Sequence, residues 1–166
     1  METRIPLGPP ASLGRLLNVT TGAMNRLAQA LLAEHGLQLA QWVVLSALWR
    51  RDGLTTSELA RYTGNNLPAT SRMVDRMVKN GLVRRRTDRR DRRTVHVHLT
   101  EAGRAHAQLS DFHERMNTLL LDGLDEAERA ALLAALARVD ANARSALETR
   151  ASDEGRSGTP AATLNP

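Results

Sequence analysis

Hydrophobic positions recur along this chain at two different periods, and the change of period divides it. Behind Ser12, a residue suited to capping a helix, Leu13, Leu17, Thr20, Met24, Leu27 and Leu31 fall on one face at steps of three and four. The pattern predicts a helix ending near Gly36. A shorter segment from Leu39 to Arg50 is apolar nearly all round, with Trp42, Val43, Leu45, Ala47, Leu48 and Trp49, and should form a central, buried helix ended by Gly53. Thr55 and Glu58 then have capping-box spacing, with Gly64 closing the helix they start. After it, Asn66 can cap a further helix whose first turn tolerates Pro68 and which the Asn80-Gly81 pair stops. Its buried face is expected to be Met73, Val74, Met77 and Val78, leaving Ser71, Arg72, Asp75, Arg76 and Lys79 outward.

At this point the period drops to two. Leu82 to Arg85 and Thr94 to Leu99 both suit strands, the second alternating cleanly, so the segment between them becomes the loop of a β-hairpin. Thr100 then caps a long helix in which Ala105, Leu109, Phe112, Met116 and Leu119 keep a 3.5-residue stripe. A second capping box at Asp125 and Glu128 opens a stretch where Leu132, Leu136, Val139 and Ala143 continue that spacing to about Arg150. The expected fold is mainly α with a small β-hairpin wing. Residues 39–99 form a winged helix-turn-helix, and 12–36 and 100–150 supply the flanking helices of one domain spanning 12–150. Residues 1–11, rich in Pro and Gly, and 151–166, with no apolar period, are expected to be disordered.

Charge sharpens this picture. Arg84 to Arg93 reads RRRTDRRDRR, seven arginines and two aspartates, and so carries +5; the whole chain, with 23 Lys+Arg and 18 Asp+Glu, is also +5. The net charge therefore sits in one hairpin loop, beside a helix that turns Arg72, Arg76 and Lys79 outward. A DNA duplex is a line of phosphates whose neutralisation releases counterions. A recognition helix suits its major groove, and a narrow minor groove attracts guanidinium groups. Asp88 and Asp91 are expected to pair with neighbouring arginines and stiffen the tip. With no cysteine in the chain, disulfides, thiolate zinc sites and thiol redox switches are excluded. The lack of a long apolar run and of a signal-peptide core points to a cytoplasmic protein with no membrane partner.

The stretch DRRDRRTVHVHLTEAG, Asp88 to Gly103, resembles the wing signature of the MarR-type (multiple antibiotic resistance regulator) transcription factors: Asp-x-Arg-Asp-x-Arg, a strand, then Leu-Thr-x-x-Gly. LTTSELARYTGNNLPATSRMVDRMVKNGLVRRR resembles that family's helix-turn-helix at every element, and the likeness extends over about residues 12–149. The resemblance implies a homodimer with interlocked terminal helices, a pseudo-palindromic operator and repression as the usual outcome. It places Arg90 in the minor groove, gives Asp88 the task of holding the wing, and sets Ser71 and Arg72 on the groove-facing side. Pro68-Ala69 departs from the small polar residues of many members and leaves fewer donors for base edges. The DNA-binding candidates are thus Asn66, Pro68, Ala69, Ser71, Arg72, Arg76, Lys79, Arg86, Asp88, Arg89, Arg90, Arg92 and Arg93. Those for dimerisation are Leu13, Leu17, Met24, Leu132, Leu136, Val139 and Ala143.

Other chemistry is sparse. No Ser/His/Asp set, phosphate-cradling glycine loop or close carboxylate pair suggests an enzyme, and no cofactor is called for. His96-x-His98 has too few partners for a metal and is expected on the outward face of the wing. His106 and His113, near Asp111 and Glu114, are better read as helix-surface histidines than as ligands, although a metal-responsive regulator is one alternative. Trp42 and Trp49, seven apart on one helix, suit core packing. The family likeness implies an effector pocket in that region, often filled by aromatic acids or other lipophilic anions, and either indole is a candidate for lining it. A winged helix used only for protein–protein contact is the remaining alternative.

Overall fold

The computed structural model describes residues 12–88 and 91–157. Residues 1–11, Arg89, Arg90 and 158–166 lie outside the described residues, and with them both the expected N-terminal disorder and the end of the expected disordered tail. The elements run α1 (Leu13–Ala33), α2 (Leu39–Arg50), β1 (Leu54–Thr55), α3 (Thr56–Thr63), α4 (Leu67–Lys79), β2 (Val83–Thr87), β3 (Val95–Leu99), α5 (Glu101–Ala105), a 3-10 turn (Ala107–Leu109), α6 (Phe112–Leu120) and α7 (Glu126–Ser157). The fold is a winged helix, mainly helical with a small antiparallel sheet.

Local signals account for most boundaries. The Ser12 hydroxyl accepts from the Arg15 amide at the start of α1. Thr55 and Glu58 exchange both bonds of a capping box, and Gly64 ends α3 in the left-handed region at φ 68°. Asp125 and Glu128 do the same ahead of α7, with both bonds at 2.9 Å. Two compact units follow, one up to Leu120 and one from Leu121.

In the first unit α2 is central. Its Val44, Leu45, Ala47 and Leu48 are buried among Leu59, Val74, Met77, Val83, Val97 and Leu99 from the winged helix. From the N-terminal side, α1 adds Ala28 and Leu32 to this core. The expected long helix after Thr100 is instead three short pieces. Leu109, Phe112 and Met116 turn into the same core rather than forming a stripe for another helix. The edge of Phe112 meets the Trp42 ring at 5.2 Å between centroids, which suits the aromatic quadrupoles. On α4 Thr70 is buried and Val78 is 39% exposed, so the inward face is Thr70, Val74 and Met77. The Thr70 hydroxyl donates to the Asn66 carbonyl, which makes that burial tolerable.

The sheet has three strands in the order β1-β3-β2. β1 is two residues long, pairing Leu54 with Val97 and Thr55 with His96. β2 extends past the expected Arg85 to Thr87, pairing Arg85 with Val97 and Arg86 with His96. In the second unit α7 runs on to Ser157, past the expected end near Arg150. None of its described side chains is buried; Leu132 is 40% and Leu136 38% exposed. Among the described residues no helix is long and apolar enough to cross a membrane.

Candidate nucleic-acid interface

The sequence of α4 sorts its faces. Arg72, Arg76 and Lys79 are exposed, opposite Thr70, Val74 and Met77. Asn66 serves as the N-cap, its Oδ1 accepting from the Ala69 amide at 2.9 Å, so its carbonyl oxygen is occupied by the helix itself. Pro68 sits in the first turn, where a missing N–H costs nothing. Leu67 and Pro68 are exposed and Ala69 is half-buried. Asp75 is not a bare charge: Arg85 of β2 donates to its carboxylate and also reaches the Ser71 hydroxyl at 3.4 Å.

That brace follows from strand register. Side chains alternate across β2, so Val83, Arg85 and Thr87 share a face with Leu99, Val97 and Val95 of β3. Arg84 and Arg86 lie on the other face, with His98 and His96. One arginine of the basic run therefore ties the wing to the recognition helix, a role that periodicity within the run hides because every position reads alike. Arg84, Arg86, Arg92 and Arg93 are exposed, while Arg89 and Arg90 lie outside the described residues.

The two aspartates of the run hold backbone. The Asp91 carboxylate accepts from the Arg93 amide at 3.0 Å and the Thr94 hydroxyl at 2.7 Å. The Thr94 hydroxyl, with the Arg93 amide behind it, keeps the Asp91 carboxyl below its usual range. Asp88 accepts from the Asp91 amide at 3.0 Å, and its own amide donates to the Thr94 carbonyl at 2.9 Å. Asp91, expected to pair with arginine side chains, thus stiffens the turn through the Arg93 amide and a hydroxyl.

The histidines of β3 lie on the face away from the core, with Arg84 and Arg86, and are half-buried there. His96 Nδ1 lies 2.8 Å from the Gly53 carbonyl oxygen, which can only accept, so this nitrogen carries the proton. Its Nε2 is 3.4 Å from Asp88. His98 packs on Gly53, and its Nδ1 is 3.5 Å from Asp52. Asp52, which the sequence pattern does not single out, is a hub: it accepts from the Leu99 amide at 2.8 Å and from Arg104 at 2.8 Å. Burial pushes its carboxyl up, but the Leu99 amide, His98 and the Gly53 amide outweigh that and leave it lowered. His113 Nδ1 is 3.3 Å from the Ser110 carbonyl, and among the described residues no group of three or more His, Asp or Glu is arranged to hold a metal.

Both indoles are tied into the fold. Trp42 Nε1 donates to the Leu109 carbonyl at 2.9 Å, and Trp49 Nε1 to the Gly103 carbonyl at 3.0 Å. Their exposed edges, with Arg50, Tyr62, Ser110 and His113, nevertheless line a cleft of about 380 Å³. Its lining is mostly apolar, with the Arg50 guanidinium among the groups that line it.

Comparison with known proteins agrees with this geometry. Residues 37–95 match the sequence model of the MarR family. The chain is 35% identical over 82 residues to the HTH-type transcriptional regulator TtmR of Methylorubrum extorquens, covering 49% of this chain and 42% of that one. It is 34% identical over 93 residues to the multiple antibiotic resistance protein MarR of Escherichia coli, covering 56% and 65%. The match thus spans less than two thirds of either relative. A crystal structure of a mutant MarR from E. coli complexed with operator DNA superposes with a TM-score of 0.70 at 30% identity, over 81% of this chain and 94% of that one.

Proposed function

The chain belongs to the MarR family, and from that premise we propose that it is a DNA-binding transcription regulator: a homodimeric repressor of a pseudo-palindromic operator, released by a small aromatic or lipophilic anion. The observation that carries the reading is the pairing of two basic features on one module. α4 exposes Arg72, Arg76 and Lys79, and the hairpin beside it exposes Arg84, Arg86, Arg92 and Arg93. A helix of that kind suits a major groove and an arginine-bearing hairpin suits the adjoining phosphates or minor groove. By the family pattern Arg90 is the residue expected to enter the minor groove. A module made only for protein contact has no need of this density of positive charge.

Two further features support the finer points. Leu13, Leu16, Met24 and Leu27 on α1, and Leu132, Leu133 and Leu136 on α7, are apolar and exposed in a single copy, as expected of helices that a second copy covers. Leu17 is half-buried and Val139 likewise. The cleft beside Trp42 and Trp49 offers an apolar slot, and Arg50 a counter-ion for a carboxylate.

Titration of the purified protein against a duplex from upstream of its own gene tests the reading. Affinity should fall steeply with salt, with log K linear in log salt concentration. Aromatic carboxylates should quench the indole fluorescence and release the duplex. Binding that is weak and indifferent to sequence would refute regulation through an operator.

A further inference from the structure

The first turn of α4 is apolar. Across Leu67, Pro68 and Ala69 no side chain can donate or accept a hydrogen bond, and Pro68 lacks even its amide proton. Several of the acceptors and hydroxyls beside them are engaged by the protein. Asn66 Oδ1 caps the Ala69 amide, the Thr70 hydroxyl is buried and donates to the Asn66 carbonyl, and the Ser71 hydroxyl accepts from Arg85. Leu67 is 49% exposed although apolar, directly ahead of the exposed Arg72, Arg76 and Lys79. A basic helix face with an apolar leading tip is complementary to a surface that is anionic and carries apolar points.

The major groove is such a surface at one kind of base pair. Of the four base-pair edges it presents, those containing thymine carry an apolar group, the C5-methyl; a G·C edge carries only donors and acceptors. Set against Leu67 and Pro68, either edge loses water from its donors and acceptors, but only the edge with thymine gains an apolar contact in return. Resting on the DNA-binding reading above, we propose that Leu67, Pro68 and Ala69 are specificity-determining residues that read thymine methyl groups, so that the operator positions under each first turn are selected as A·T over G·C by methyl contact. Arg72, Arg76 and Lys79 then supply affinity through phosphates and the tip supplies sequence preference.

The test uses the full-length protein. Duplexes are selected from a random library, and each thymine of the selected site is replaced singly by deoxyuridine, which removes the methyl and nothing else. At the thymines under the first turn of α4 each replacement should weaken binding about fourfold, the effect of one buried methyl-sized group, and about sixteen-fold when both half-sites are changed. With Leu67→Ala the same replacements should lose most of that factor. Equal affinity for thymine and deoxyuridine at every position would overturn the proposal, as would selected sites with G·C there. A loss that Leu67→Ala leaves undiminished also overturns it, since the methyl then acts through DNA shape. If no sequence emerges from the selection, the DNA-binding reading itself has failed; if a sequence emerges but methyl removal is silent, only the methyl reading has.

Discussion

Gly103→Ala sets two physical effects against each other. Gly103 lies inside α5, with helical backbone, so helix propensity alone predicts that alanine stabilises by up to about 1 kcal/mol. The surroundings predict the opposite. A Cβ built on Gly103 lies well under 3.0 Å from the Leu82 carbonyl oxygen and 3.2 Å from Leu99 Cδ2. That carbonyl cannot easily yield, because it accepts from the Thr100 amide at 3.2 Å and the Thr100 hydroxyl at 2.9 Å. The Gly103 carbonyl in turn accepts from Trp49 Nε1. Overpacking against so constrained a neighbour costs about 2–3 kcal/mol, and weakening one of these bonds adds about 1. Subtracting the propensity gain leaves a net loss of about 2–3 kcal/mol, or a fall in Tm of roughly 5–10 °C for a chain of this size. Thermal unfolding followed by circular dichroism at one fixed protein concentration measures it, since the proposed dimerisation would make Tm depend on concentration. An unchanged or higher Tm would refute the reasoning and show that α5 can slide off Leu82 at no cost.

Asp52→Asn should lower stability at neutral pH by about 1 kcal/mol, a modest figure because the carboxylate is partly exposed. Its folded-state value is lowered, so its contribution is full above the ordinary carboxylate value of about 3.9 and fades as pH falls below it toward the folded value; the difference between the two proteins in urea titrations should be smaller at pH 3 than at pH 7. Asp91→Ala should weaken operator binding although it removes a negative charge near phosphate, because the Arg93 amide and Thr94 hydroxyl lose their acceptor; tighter binding at both low and high salt would show that the wing acts as diffuse charge. Leu136→Arg should convert a dimer into a species of the 18.2 kDa chain mass in sedimentation, and an unchanged dimer would move the interface elsewhere.

The features legible in the amino-acid sequence are local ones. Caps and stops depend on residues three or four apart, so Ser12, Thr55 with Glu58, Asn66, Gly64 and Asp125 with Glu128 can be read directly from the order of residues. The change of hydrophobic period from 3.6 to 2 marks the hairpin, and the concentration of charge marks what the hairpin is for. The destination of each apolar stripe is a matter of tertiary packing. The stripes through Phe112 and Leu136 have the same spacing, yet Phe112 and Met116 are buried in the winged helix while Leu132 and Leu136 stay exposed. Periodicity reports that a face is apolar and says nothing of which surface it meets. β1 is only two residues long and exists because β3 offers it an edge. Arg85 differs from Arg84 and Arg86 only through pairing register, which aims it at Asp75. Asp52 became a hub because chain closure brings Leu99, His98 and Arg104 to it from far along the sequence, and hydrogen bonds between such distant residues leave no periodic trace.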